Sequence, residues 1–413
     1  MTETGSGRAD AALMRPLLVA LVVSVVTPLP GFLFGAVAVV MREDIGFSIP
    51  AIGLGMAGFF VASAIACPPC GRLTERIGAT AAMRIASVGS GLTLLAMGVM
   101  PASFVALVVL LVIAGAVQGF ASPGINLYMI EWIPAQRQGL AFGIKQASIP
   151  AALLLSGASL PAIALTLGWR WVFVLGSLLG VLGLVLLSGR GHAARMQGAD
   201  ARRRERGQSA AHEPAPRWLI LLSIGGGLAS FAPHSMGSFL VPTAIDQGGM
   251  SAGSAGLLLS AGSMLAVGTR LAAGFMTDRS GITSLRPIGL MVAVGSLGLC
   301  SLALGAPAFV VIGALLAFAG GWGWASLFHL AVVRFNPDSP AAATGVAQSG
   351  VYWGAALAPL TFGVILEHSS YGVAWVVAAA MTALAATLVF LADSGRRSPQ
   401  PTREATDLGA RIS

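Results

Sequence analysis

The sequence predicts an all-α membrane protein whose twelve transmembrane helices form two pseudo-symmetric six-helix bundles. Three observations lead there. Of the 413 residues only 10% are charged and 56% are hydrophobic, with a mean hydropathy of +0.83. A soluble domain carries about a quarter charged residues, so the solvent of this chain is mostly lipid. Apolar runs of about 20 residues recur, the length a helix needs to cross a bilayer, and they lack the alternation of membrane strands. Finally, the stretch Gly71-Arg72-Leu73-Thr74-Glu75-Arg76-Ile77-Gly78 returns 203 residues later as Gly274-Phe275-Met276-Thr277-Asp278-Arg279-Ser280-Gly281. Both copies keep the pattern Gly-x-x-x-acid-Arg-x-Gly and read as short charged turns between apolar segments.

Taken in order, a short tail (1–14) precedes spans at about 15–41, 50–70, 79–100, 103–133, 138–165 and 169–189, a first bundle over 15–189. A polar linker, 190–216, joins them to spans at about 217–246, 251–276, 283–304, 307–335, 339–366 and 370–392, a second bundle over 217–392. A polar tail, 393–413, follows. Arg8 and Arg15 precede an apolar run longer than a signal-peptide core, so the first span is expected to stay in the membrane.

Basic residues set the expected orientation. With the N-terminus in the cytoplasm, nineteen arginines fall in cytoplasmic segments, among them Arg72, Arg76, Arg137, Arg279, Arg286 and Arg334. Two, Arg42 and Arg170, fall outside. The expectation is a multi-pass protein of the inner (plasma) membrane with both termini and the linker in the cytoplasm. The net charge of +8 comes from these loops and lacks interleaved aromatics, which excludes a nucleic-acid partner. Cys67-Pro68-Pro69-Cys70 has no second pair to complete a metal site, and it reads as helix packing. No catalytic constellation, cofactor fingerprint or phosphate-binding loop is present, so neither an enzyme nor a cofactor is expected.

The repeat has further anchors. Pro134 pairs with Pro337 and Pro30 with Pro233, each 203 apart; Gln146 pairs with Gln348, 202 apart. Parallel halves of this kind imply a two-fold axis along the membrane normal and a site between the halves. Pro28 and Pro30 remove backbone donors and should kink span one; Pro233 should do so in span seven. Gly31-x-x-x-Gly35 and Gly115-x-x-x-Gly119 permit close helix packing.

With these residues in view, the chain resembles the major facilitator superfamily. The stretch after span two resembles its signature, Gly-x-Leu-x-Asp-Arg-x-Gly-Arg, through Gly71, Leu73, Arg76 and Gly78; Glu75 stands for the usual Asp, and Ala79 for the usual basic residue. The resemblance implies the major facilitator fold and a transporter that works by alternating access. It also implies a gating role for Gly71, Glu75, Arg76 and Gly78, and for Gly274, Asp278 and Arg279 in the second copy. In that role Glu75 would latch onto the N-terminus of span eleven, near Ser339, where the helix dipole is positive. The Gly-Pro-x-x-Gly-Gly motif of the drug–proton antiporters is missing from Ser148-Ile149-Pro150-Ala151-Ala152.

Ionisable groups inside spans are costly and mark function. Lys145, the only lysine, lies about 9 Å on the cytoplasmic side of the middle of span five, and Arg270 lies about 10 Å below the middle of span eight. No Asp or Glu lies deep in a span, since Glu131 and Asp246 sit near span ends. Spans five and eight pack together in this superfamily, so the resemblance implies two cations lining one cavity. That is what an anion site needs. Gly268-Thr269-Arg270 is similar to the span-eight arginine stretch of the oxalate and monocarboxylate carriers, with Leu271 where a proline often follows. The competing reading has Arg270 paired with loop acids or helix carbonyls. Gln118, Gln146, Gln348, Asn126 and Tyr352 join the expected substrate-binding set, and His234 joins as a group able to bind a coupling proton. Trp322, Trp324 and Trp353 either wall the site or fill the bundle. The expected substrate is a small organic anion, a carboxylate, moved by proton symport or exchange by a monomer. The second reading is an exporter of hydrophobic or cationic compounds.

Overall fold

The structure is a computed structural model that describes residues 3–47, 49–100, 103–188 and 215–397. Among these residues, eleven helices and one bent pair are long and apolar enough to cross a membrane. The pair, Met14–Val26 with Leu29–Ala38, is α1. The others are α2 (Ala51–Ile77), α3 (Ala79–Val99), α4 (Phe104–Trp132), α5 (Ala135–Leu167), α6 (Trp169–Leu187), α7 (Arg217–Asp246), α8 (Ser254–Ser280), α9 (Arg286–Ala303), α10 (Pro307–Phe335), α11 (Pro340–His368) and α12 (Tyr371–Arg396). Residues 189–214, most of the expected linker, and 398–413, most of the expected C-terminal tail, lie outside the described residues.

Four boundaries differ from expectation. Residues 71–77 and 274–280 are helical, forming the last turns of α2 and α8. The charged side chains extend away from the helix and leave its backbone bonds intact. The helices end only where Gly78 (φ 90°) and Gly281 (φ 74°) enter a conformation closed to most side chains. The first helix already begins at Glu3, inside the expected tail. The last continues to Arg397, because Asp393 is buried and anchors it. Its carboxylate accepts from the Leu285 backbone N–H at 2.8 Å and the Ser284 hydroxyl at 3.0 Å.

Span one bends by 44° at Thr27-Pro28, as its prolines require. Span seven is not bent to that degree and counts as one continuous span across Ser230 and Pro233. The expected kinks are therefore unequal. Both glycine pairs pack as expected: Gly31 faces Phe59, while Gly115 and Gly119 lie against Phe59 and Ala66 of α2. Leu257, Met264 and Val105 are among the large apolar side chains left exposed on the outside of the bundle, as a lipid-facing surface requires.

The two halves join most closely at the end that carries both motif copies, the motif face. There α2 crosses α11, with Gly71 against Ala341 and Gly345. In the pseudo-symmetric place α8 crosses α5, with Gly274 against Gly139 and Arg270 against Gly143. Without side chains in the way, the backbones touch.

Candidate functional site

The motif carboxylates bind across the halves. Glu75 Oε1 accepts from the backbone N–H of Ala341 at 2.5 Å and of Ala342 at 3.1 Å, in the first turn of α11. Asp278 repeats the contact with the bundles exchanged: its oxygens accept from Gly139 at 2.6 Å and Leu140 at 2.8 Å, in the first turn of the helix that starts at Gln138. First-turn N–H groups have no partner within their own helix, so the carboxylates complete both helix ends. Arg76 and Arg279 do not join these contacts; both are exposed, and Arg279 lies over the Phe275 ring at 4.2 Å. Gly71, Gly78 and Gly274 shape the crossings and the helix end. Arg334 adds a further tie between the halves through Gln138 and the Ala135 carbonyl.

Beneath this face lie the two cations. Local sequence explains how Arg270 is held. A helical carbonyl normally receives the N–H four residues on; for Gln146 that residue is Pro150, which has none. The free Gln146 carbonyl accepts from Arg270 Nη1 at 2.7 Å, across the two halves. The Trp322 carbonyl, at the end of the π-helical stretch Ala317–Trp322 in α10, accepts from Arg270 Nε at 3.0 Å. The Trp322 ring lies under the guanidinium, 5.6 Å away. Lys145 donates from Nζ to Asn126 Oδ1 at 3.2 Å. Lys145 is 5% exposed and Arg270 4%. Neither has a carboxylate partner among the described residues. Carbonyl and amide oxygens solvate these charges without neutralising them.

Asn126 is fully buried and reaches further. Its Nδ2 donates to Thr344 Oγ1 at 3.3 Å and lies 3.5 Å from His329 Nδ1. Asn126 and His329 are 203 residues apart, so they are repeat equivalents that meet across the halves. Farther from the motif face, Gln118 Nε2 donates to the Tyr352 hydroxyl at 3.0 Å, with Ser122 and Gln348 beside it. The side-chain oxygens of Gln118 and Gln348 are buried without a hydrogen-bond partner. His234 packs its ring edge-on against Phe60 of the other half and turns Nδ1 to the Ser230 carbonyl.

The structure thus brings Lys145, Arg270, Gln146 and Asn126 together and gathers Gln118, Gln348 and Tyr352 into a second polar group, with His234 apart. His329, Thr344 and the Trp322 carbonyl were absent from the expected set. The 203-residue offset from Asn126 marks His329 in the sequence; nothing comparable marks the other two. Cys67 and Cys70 are free and buried within α2.

The fold and the paired helix-end contacts describe a membrane protein of two repeated bundles. A Major Facilitator Superfamily model matches residues 20–308, well over half of the chain, and the chain belongs to that superfamily, a family of transporters rather than enzymes. A putative tartrate transporter of Agrobacterium vitis is 33% identical over 182 residues, 41% of this chain and 41% of that protein. The hexuronate transporter of Bacillus subtilis is 28% identical over 150 residues, 35% of this chain and 34% of that protein. The matched region therefore spans well under half the length of these relatives. Among solved structures, the proton:xylose symporter XylE bound to 6-bromo-6-deoxy-D-glucose superposes with a TM-score of 0.71 at 17% identity, covering 92% of this chain and 95% of that one. At that identity the likeness is one of fold.

Proposed function

We propose that this protein is a secondary carrier for a small organic anion, a carboxylate, working by alternating access in the inner membrane. One observation carries the reading: Lys145 and Arg270, from opposite halves, are both buried with neutral oxygens as their hydrogen-bond partners, Lys145 on Asn126 and Arg270 on the carbonyl of the next residue, Gln146. Lys145 has further ammonium protons to give, and Arg270 has a second terminal nitrogen, so a carboxylate can complete both sets. Tartrate and hexuronates, named for the two relatives, are carboxylates, which supports the same class.

Gln118, Gln348 and Tyr352 would contact the rest of the substrate. The Glu75 and Asp278 latches would hold the motif face shut and release it when the halves rock. The arginine distribution supports a cytoplasmic motif face and cytoplasmic termini. The monomer is complete in this reading, since the site lies between its own halves.

The test is uptake and counterflow of labelled tartrate, galacturonate, oxalate and lactate in proteoliposomes, comparing wild type with Lys145→Ala and Arg270→Ala. Carboxylate flux in wild type that both variants lose is the expected result. Wild-type flux in both variants, or dye efflux with no carboxylate flux in wild type, would overturn it.

A further inference from the structure

The hydrogen-bond polarity between Lys145 and His329 has a direction. An ammonium group only donates, so the Asn126 side chain must turn its oxygen to Lys145, as it does at 3.2 Å. Its NH2 is thereby turned to Thr344 and to His329 Nδ1. With the amide turned this way, the ring form that accepts from it is the one with its lone pair on Nδ1 and its hydrogen on Nε2. A proton added at Nδ1 would set donor against donor. Turning the amide over relieves that conflict by giving its oxygen to His329, but it then points NH2 at the Lys145 ammonium. The Thr344 hydroxyl, now donating to the Pro340 carbonyl at 2.8 Å, can rotate to follow either state. In the buried site Asn126 can therefore satisfy one of the two cations at a time.

We propose that His329 carries the coupling proton, and that Asn126 makes its protonation depend on a carboxylate occupying Lys145. The proposal rests on the anion reading above. A bound carboxylate takes over the Lys145 ammonium and frees the amide oxygen for His329. Hydronium from the solution then gives its proton to Nδ1: the new N–H bond forms as one hydronium O–H bond breaks, and water is left. The charged groups facing His329 are Lys145 from α5 and Arg270 from α8; Asn126 from α4 and Thr344 from α11 are neutral. Arg334, on its own helix, is directed to Gln138 and the Ala135 carbonyl. A carboxylate between the two cations also offsets the repulsion a third positive charge would meet. Because the Asn126–His329 contact crosses between the halves, separating them on the motif face breaks it and opens His329 to the opposite solution. Anion and proton would then load together and leave together, which is symport.

The test measures protons taken up when each carboxylate of the panel binds purified protein in weakly buffered detergent, in wild type and His329→Gln. Wild type should take up about one proton per carboxylate, and His329→Gln none, while His329→Gln retains carboxylate counterflow and loses accumulation driven by a pH gradient. Equal proton uptake in the two proteins, or none in wild type, would overturn the proposal and leave the anion reading standing. Absence of any carboxylate counterflow in wild type would overturn both, and it is read before protons are counted. Should the variant fail to fold, nitrogen NMR of histidine-labelled wild type decides: His329 should be neutral alone and an imidazolium with the carboxylate, and the same state in both would overturn the proposal.

Discussion

Glu75 and Asp278 make the same contact on opposite sides of the pseudo-two-fold axis. Each carboxylate ends one half's helix and accepts two backbone N–H groups from the first turn of a helix in the other half. Hydrogen bonds to a charged acceptor contribute about 1.5–3 kcal/mol. Glu75→Gln and Asp278→Asn keep the shape and remove the charge. Each should shift the open-to-closed ratio of the motif face roughly tenfold toward open, with the double variant further still. Distances between spin labels placed on α2 and α11 check this; an unchanged distribution in the double variant counts against the latch.

In the proposed cycle the glycine crossings would act on the same equilibrium by shape. A Cβ on Gly345 would stand 2.6 Å from the Cys67 carbonyl oxygen and 3.1 Å from Gly71 Cα. Both are backbone atoms that cannot swing aside. Gly345→Val should therefore cost the closed motif face about 1–3 kcal/mol. Transport should fall with expression and folding intact, as spin-label distances and size-exclusion profiles would report together.

Pro150 frees the carbonyl that Arg270 uses. Pro150→Ala supplies the missing N–H to Gln146 and competes with the guanidinium. The helix should gain stability while carboxylate affinity falls several-fold; a rise in Tm with a rise in KM is the expected pair. A variant with unchanged KM would show that the Gln146 carbonyl does not position Arg270.

Arginine and lysine are not exchangeable at residue 270. Nε and Nη1 bind two carbonyls on different helices, a fork that one ammonium cannot reproduce. Arg270→Lys should lose at least about tenfold in apparent affinity for the carboxylate, a ΔΔG of roughly 1.4 kcal/mol. Uptake kinetics in proteoliposomes measure it directly.

At the far end, Asp44 braces α1 to α6. It accepts from Trp169 Nε1 at 3.0 Å and pairs with Arg170 at 2.8 Å. The Trp169 hydrogen bond first, and then Arg170, hold its carboxyl below the usual aspartate range. A depressed carboxyl pKa stabilises the fold above the unfolded value and loses that contribution as pH falls through the folded one. Thermal stability should therefore step down in that acid window in wild type, and Asp44→Asn should lack the step.

Much of the site could be read from residue order. The contact of Glu75 with α11 was an expectation carried by the family resemblance and helix-end chemistry, and the second copy of the motif marked Asp278. The depths of Lys145 and Arg270 follow from counting along apolar runs. Their partners could not be read this way, because the Trp322 and Gln146 carbonyls are backbone atoms that every residue carries. Only the Pro150 gap and the π-helical turn expose them. The expectation of a proton group settled on His234, whose own helix supplies its Nδ1 partner, while His329, legible as a second histidine deeper in span ten, was passed over because its partners lie on other helices.

Sequence alone determined the membrane class, the twelve spans, the repeat and the motif at its centre, because these depend on composition and spacing along the chain. Tertiary structure decided that the motif stretches are helix ends rather than turns, that the two carboxylates latch reciprocal helices, and that Asn126 stands between Lys145 and His329. Those relationships join atoms up to 267 residues apart. Their physical basis is the crossing of glycine-lined helices at backbone contact, which no local pattern encodes.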